Sequence, residues 1–233
     1  DPTWQIYLFP DVPHLLKLFR NHCLDKGYSF PDEEGNYHRL TKSHFQTLIE
    51  NDGQELKLCP KLRSIHIEVK GGQRQRVRLA AQLFSDTTSK ALLFQSGQSM
   101  QVQSKAIECV NNWFDTMNSR TPYDAVPQRC GFGVHLDLQF KSLNEMENLV
   151  QNMRFCGKEE SNKKLPYQRG ILVSISSTKA LYEDICSGLQ GVSFIMTSRL
   201  NQDAIENLFS QIRGIGGDQT HPGPVTALNR LRA

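Results

Sequence analysis

Residues 197–217 read T-S-R-L-N-Q-D-A-I-E-N-L-F-S-Q-I-R-G-I-G-G, and their spacing predicts an amphipathic helix. Ile205, Leu208, Phe209 and Ile212 recur at i, i+3, i+4 and i+7, the period of one buried helical face. Asn201 or Asp203 suits the start of the helix, and Gly214, Gly216 and Gly217 end it. Glu206 stands beside Ile205 at the edge of the apolar stripe. Asp203 lies one turn before it, where the helix dipole favours a carboxylate. Taken alone, D-x-x-E is a capping box with a solvated glutamate. A catalytic role for Glu206 needs a second carboxylate that the fold carries alongside.

The other end of the chain offers one. Residues 4–9, W-Q-I-Y-L-F, are aromatic and β-branched and predict a strand, closed by Pro10 and Asp11. Pro13 suits the first turn of a helix carrying Leu15, Leu16, Leu18 and Phe19. Asp11 would then stand at the C-terminal mouth of a strand, where open α/β sheets gather ligands and catalytic groups. It precedes Glu206 by 195 positions. A domain inserted between two flanking pieces that pair in space accounts for that separation.

The stretch between is read as mainly helical. Residues 21–36 are rich in Gly, Pro and acids and predict a loop and a boundary. Residues 41–51 predict a short helix with Phe45, Leu48 and Ile49 inward; residues 55–67 read as a connector. After Gly71-Gly72, residues 76–94 predict a helix, with Val77, Ala80, Ala81, Phe84, Thr88, Ala91 and Leu92 inward. Residues 98–118 are the longest helix candidate, with Ile107, Val110, Phe114 and Met117 in register. Ser142 and Glu145 suggest a capping box for another helix, residues 170–176 a strand, and residues 177–186 a further helix. Lone His66 and the His221-Pro222 turn carry no metal spacing and no assigned role.

Composition is less decisive. A chain of 233 residues has ample core for one large domain or two modest ones. Beginning Asp1-Pro2 and stopping at Leu-Arg-Ala, it is expected to be part of a longer protein. No run approaches the roughly 18 apolar residues of a membrane span. The six cysteines form no C-x-x-C pair, which argues against a zinc site and a disulfide framework and suits a reducing compartment. Net charge is only +3, but between Lys57 and Arg78 there are seven basic residues and one acid, Glu68. Such a run is either a solvated face or a phosphate-binding one.

Several segments resemble, in order, the P-element-like DNA transposases, often joined to a THAP domain. They are residues 9–21 (F-P-D-V-P-H-L-L-K-L-F-R-N), 59–67 (C-P-K-L-R-S-I-H-I), 76–85 (R-V-R-L-A-A-Q-L-F-S), 114–120 (F-D-T-M-N-S-R), 198–213 and 216–222 (G-G-D-Q-T-H-P). The resemblance implies an α/β RNase H-like catalytic core interrupted by a large, mainly α-helical insertion domain. The expected division is residues 1–35 and 195–233 for the core and 36–194 for the insertion.

By the same resemblance, Asp11 and Glu206 match the second and third of three catalytic acids, with Asp203 in support; the first belongs to an earlier strand that this sequence lacks. The acids hold Mg²⁺, a hard cation that prefers oxygen ligands. A pair of such ions supports cutting transposon ends and joining them to target DNA, so the fragment alone is expected to be inactive. GTP is the implied second cofactor, although no G-x-x-x-x-G-K-[ST] loop is present. Asp115 matches the guanine-reading acid, its two oxygens suiting the N1–H and the exocyclic amine. Phe114 stacks, and Asn118 reaches the same ligand. Lys61, Arg76 and Ser85 surround the phosphates, and Val77 lends backbone contacts. Arg76 stands where lysine is common in relatives, so charge is kept and geometry changes. GTP hydrolysis is not expected. A nuclear, oligomeric full-length protein is implied. The competing readings are a non-catalytic, domesticated GTP- or DNA-binding regulator, and a helical interaction module with no nucleotide site.

Overall fold

The computed structural model describes residues 6–53, 57–156, 164–188, 191–215 and 223–232, without the side chains of Ser187, Asp203, Ala204, Leu231 and Arg232. Gly216, Gly217, His221 and Pro222 lie outside the described residues. The element order is α1 (Val12–Asp25), β1 (Tyr28–Pro31), β2 (Tyr37–Leu40), α2 (Lys42–Asn51), α3 (Val77–Leu83), α4 (Asp86–Ser96), α5 (Gln101–Met117), α6 (Leu136–Asn152), β3 (Arg154–Phe155), α7 (Pro166–Gly188), α8 (Asp203–Gly214) and α9 (Pro224–Arg232). The protein is thus mainly helical, as the spacing predicts.

α5 is the hub, packed on α4 along one flank and on α6 along another. Its core positions Ala106, Ile107, Val110, Trp113 and Met117 are all buried, following the helical period. Around it Phe19, Tyr28, Phe45, Phe84 and Tyr167 build an aromatic cluster, with Phe19 stacked edge-on to Phe84 at 5.3 Å. One apolar cluster runs unbroken from Val12 to Ile175. α1 therefore shares its core with the helices after residue 36, and no break in packing falls at the expected boundary.

Several expectations are corrected. Residues 21–36 are not a loop: α1 runs on to Asp25, burying Cys23 and Leu24, and β1 pairs antiparallel with both β2 and β3. The helix expected over residues 76–94 breaks at Phe84, and Ser85 caps a new one. Ser142 lies inside α6, its hydroxyl donating to the Leu138 carbonyl at 2.9 Å, so it caps nothing. Residues 170–176 belong to the single 23-residue helix α7. The β-branched run misled there, whereas burial of Tyr167, Ile171, Ile175 and Thr178 follows the helical period.

The strand expected at residues 4–9 does not form over its described part, residues 6–9. The segment lies along α7 instead. The Leu8 N–H donates to Ser177 Oγ at 3.1 Å, the Tyr7 hydroxyl bonds the Asp184 carboxylate, and a Cβ added at Gly170 would sit 3.6 Å from that of Pro10. Side chains of a helix thus take the place of a strand partner. Among the described residues the one sheet has the order β2-β1-β3 and packs on α5.

α8 forms where expected, but its apolar face is not covered. Ile205, Leu208 and Phe209 are 55%, 47% and 54% exposed, and only Ile212 is buried. The return of the chain to this end is held by a bridge between Phe132 and Ile195. Gly133 makes that close approach possible: at φ +118, an added Cβ would collide with the Ser193 carbonyl.

Candidate functional site

Asp11 sits at the start of α1, where Val12 and Pro13 open the helix and the carboxylate accepts the His14 N–H at 2.9 Å. Its other oxygen accepts the Gln202 N–H at 3.2 Å, across 191 positions of sequence. Gln202 is the N-cap of α8, and the Glu206 N–H donates back to its carbonyl at 2.9 Å. One carboxylate therefore caps two helices, receiving orphan N–H groups and the positive dipole end of each. Exposed Glu206 is one turn along the second helix. The two predicted acids thus belong to one neighbourhood. The Asp203 side chain lies outside the described residues.

Asp115 lies near the end of α5, mostly buried. Its Oδ2 accepts Nε of Arg129 at 3.0 Å and Nδ2 of Asn111 at 3.2 Å. Burial raises its pKa, which Arg129 and then Asn111 oppose. Phe114 is half-buried against the core, with its ring 6.5 Å from that of Trp113. Asn118, just past the helix, accepts Nδ2 of Asn201 at 3.2 Å.

Ser85 caps α4 by accepting the Thr88 N–H at 3.2 Å. Asn111 joins this corner to Asp115, because its Oδ1 accepts the Asp86 N–H at 3.3 Å while its Nδ2 reaches Asp115. Ser85 and Asp115 thus flank one asparagine. Exposed Lys61 is at the tip of the turn closed by the Leu62 N–H on the Cys59 carbonyl, and the Cys59 thiol contacts the Thr87 carbonyl at 3.4 Å. Arg76 and Val77 open α3, so Arg76 is separated from Ser85 by the length of that helix, roughly 10 Å at 1.5 Å per residue. Two cavities, of about 590 and 240 Å³, are not lined by any of these residues.

Sequence reasoning missed Arg20 and Asn111. Arg20 is fully buried in α1 and meets no carboxylate among the described residues. It donates to the carbonyls of Arg74 at 2.6 Å and of Gln73 and Arg76 at 3.4 Å, bracing the turn Gly71–Gln75 that delivers Arg76. Burial, helped by nearby Arg74, pulls its pKa down to about 10, so it stays charged at neutral pH. The readable signal was its place on the apolar face of α1, four residues after Leu16. Arg20→Lys is expected to destabilise by about 2–3 kcal/mol in urea unfolding, because a single ammonium, despite its three N–H donors, lacks the span of the guanidinium, which reaches the three carbonyls from two separate nitrogens.

A family model described as TNP-like, GTP-binding insertion domain matches residues 13–129, just over half of the chain. The transposable element P transposase of Drosophila melanogaster is 33% identical over 239 aligned residues, covering all of this chain and 30% of the relative. The chain belongs to the P-element-like transposase family. A solved structure of the Drosophila P element transposase strand transfer complex shares its fold, with a TM-score of 0.85 and 33% identity over all of this chain and 52% of that one. The chain therefore spans about half of that solved P-element chain and under a third of the curated relative. The matched insertion domain runs from Pro13 to Arg129, so all of α1 but Val12 falls within it, as does the pairing of Asp115 with Arg129.

Proposed function

We propose that this chain supplies the GTP-binding insertion and part of an RNase H-like catalytic core in a nuclear cut-and-paste DNA transposase. The full-length protein would cleave transposon ends and join them to target DNA. One observation carries the reading: Asp11 accepts the N–H that opens the helix bearing Glu206, with the nucleotide-binding block inserted between them. The uncovered apolar face of α8, together with exposed Ile6 and Leu8, supports a further part of the core packing there.

The acids suit a divalent cation in part. Both are oxygen donors, and Asp11 keeps lone pairs beyond the two N–H bonds it accepts. Among the described residues no three His, Cys, Asp or Glu side chains gather. Asp11 and Glu206 would hold Mg²⁺ together with a third acid. When bound, Mg²⁺ would activate a water or a DNA 3′-hydroxyl and stabilise the leaving oxygen. The chain's own residues then do the positioning. Asp115 accepts the N1–H and amine of guanine, Phe114 offers a ring face, and Lys61 and Arg76 neutralise phosphate. Titration calorimetry of this chain with GTP and ATP should show binding of GTP in preference; equal affinity, or none for either, contradicts the reading.

A further inference from the structure

The end of α5 and the start of α8 are joined by a dense, buried set of hydrogen bonds. The Thr197 hydroxyl donates to the Thr116 carbonyl at 2.7 Å and accepts the Ser119 N–H at 3.0 Å. The Ser119 hydroxyl lies 2.9 Å from that of Thr197 and accepts the Thr197 N–H at 3.3 Å. The Ser198 N–H reaches the Ser119 carbonyl at 3.1 Å. Thr197 and Ser119 are 1% and 2% exposed. Further along the same segment come Asn201, bonded to Asn118, and then Gln202, whose N–H Asp11 accepts.

The geometry has two consequences. Asp115, next to Thr116, is rigidly tied to the segment leading into α8, because buried hydrogen bonds are strong and costly to break. That segment also sets where the N-terminus of α8 meets Asp11, and so where Glu206 stands. We propose that Thr197 and Ser119 are positioning residues that couple guanine occupancy at Asp115 to the placement of Asp11 and Glu206. Guanine bound at the end of α5 stiffens the joint, and the joint holds the two acids in register. By linkage, what orders the acids also tightens nucleotide binding. This rests on the nucleotide reading above.

Hydrogen exchange of the chain with and without saturating GTP tests it. Amides 198–206 should exchange about tenfold more slowly with GTP, within the roughly 5- to 150-fold span of such couplings. Thr197→Val should lose that slowing at saturating GTP and weaken GTP binding by up to about tenfold, the reciprocal of the lost coupling, and Thr197→Ser should restore both. Ser119→Ala serves if the valine variant melts below the assay temperature. GTP binding without slowed exchange in the unsubstituted chain, or slowing retained in Thr197→Val or in Ser119→Ala, overturns the coupling while leaving the nucleotide site intact. Absence of GTP binding removes both together.

Discussion

Asp115→Asn is expected to weaken GTP binding by about 2–3 kcal/mol, roughly 30- to 150-fold, and to improve binding of XTP. A carboxylate offers two acceptors to the N1–H and amine of guanine. An amide turns one of them into a donor, which suits the 2-carbonyl of xanthine. Titration of both nucleotides against both proteins checks this, and indifference to the change would support a helical module with no base-reading site. Acidity gives a second handle. Burial lifts the Asp115 pKa above the ordinary carboxylate value, and Arg129 at 3.0 Å opposes that lift. Protonation competes with guanine, so affinity falls on acidification, earlier than for an exposed carboxylate. Arg129→Met removes the opposing charge, so the fall should begin at higher pH.

Glu206→Ala in the full-length protein is expected to reduce strand cleavage to background while DNA binding persists, because the carboxylate would hold the cation and not the DNA. Glu206 is exposed on α8, so the fold should survive its truncation. Asp11→Asn should behave similarly with one difference. Asparagine is a good N-cap, so one helix start keeps its acceptor, while the amide NH₂ replaces the other oxygen and the charge is lost. Unchanged cleavage in either variant removes its acid from the site. Loss of DNA binding as well would point to misfolding and call for a melting curve of the variant.

Legibility in the sequence followed a physical divide. α2, α5 and α6 could be read because their apolar residues repeat at helical spacing and meet one core. α7 was misread as strand plus helix, because β-branched residues at 171–176 outweighed the longer period. On α8 the stripe was real, but periodicity shows only which face is apolar, not what covers it. The strand expected before Asp11 failed because the described part of that segment is partnered by the side chains of Ser177 and Asp184 on α7, not by another strand. The roles proposed for Asp11, Glu206 and Asp115 rest on family motifs; spacing alone favours caps and surface acids. Thr197, Ser119 and Asn111 were invisible, since hydroxyls and amides are common and their partners lie as far as 81 positions away.

The central claim is that acids from opposite ends of this chain share one cation. Iron-mediated backbone cleavage of the full-length protein tests it most directly: Fe²⁺ substituted for Mg²⁺, with hydrogen peroxide as oxidant and ascorbate to recycle the iron, generates hydroxyl radicals that cut the chain where the ion is bound. Cuts at both Asp11 and Glu206, suppressed together by excess Mg²⁺ and by Glu206→Ala, are the predicted result. Cuts at only one of the two segments, or at neither, would contradict it.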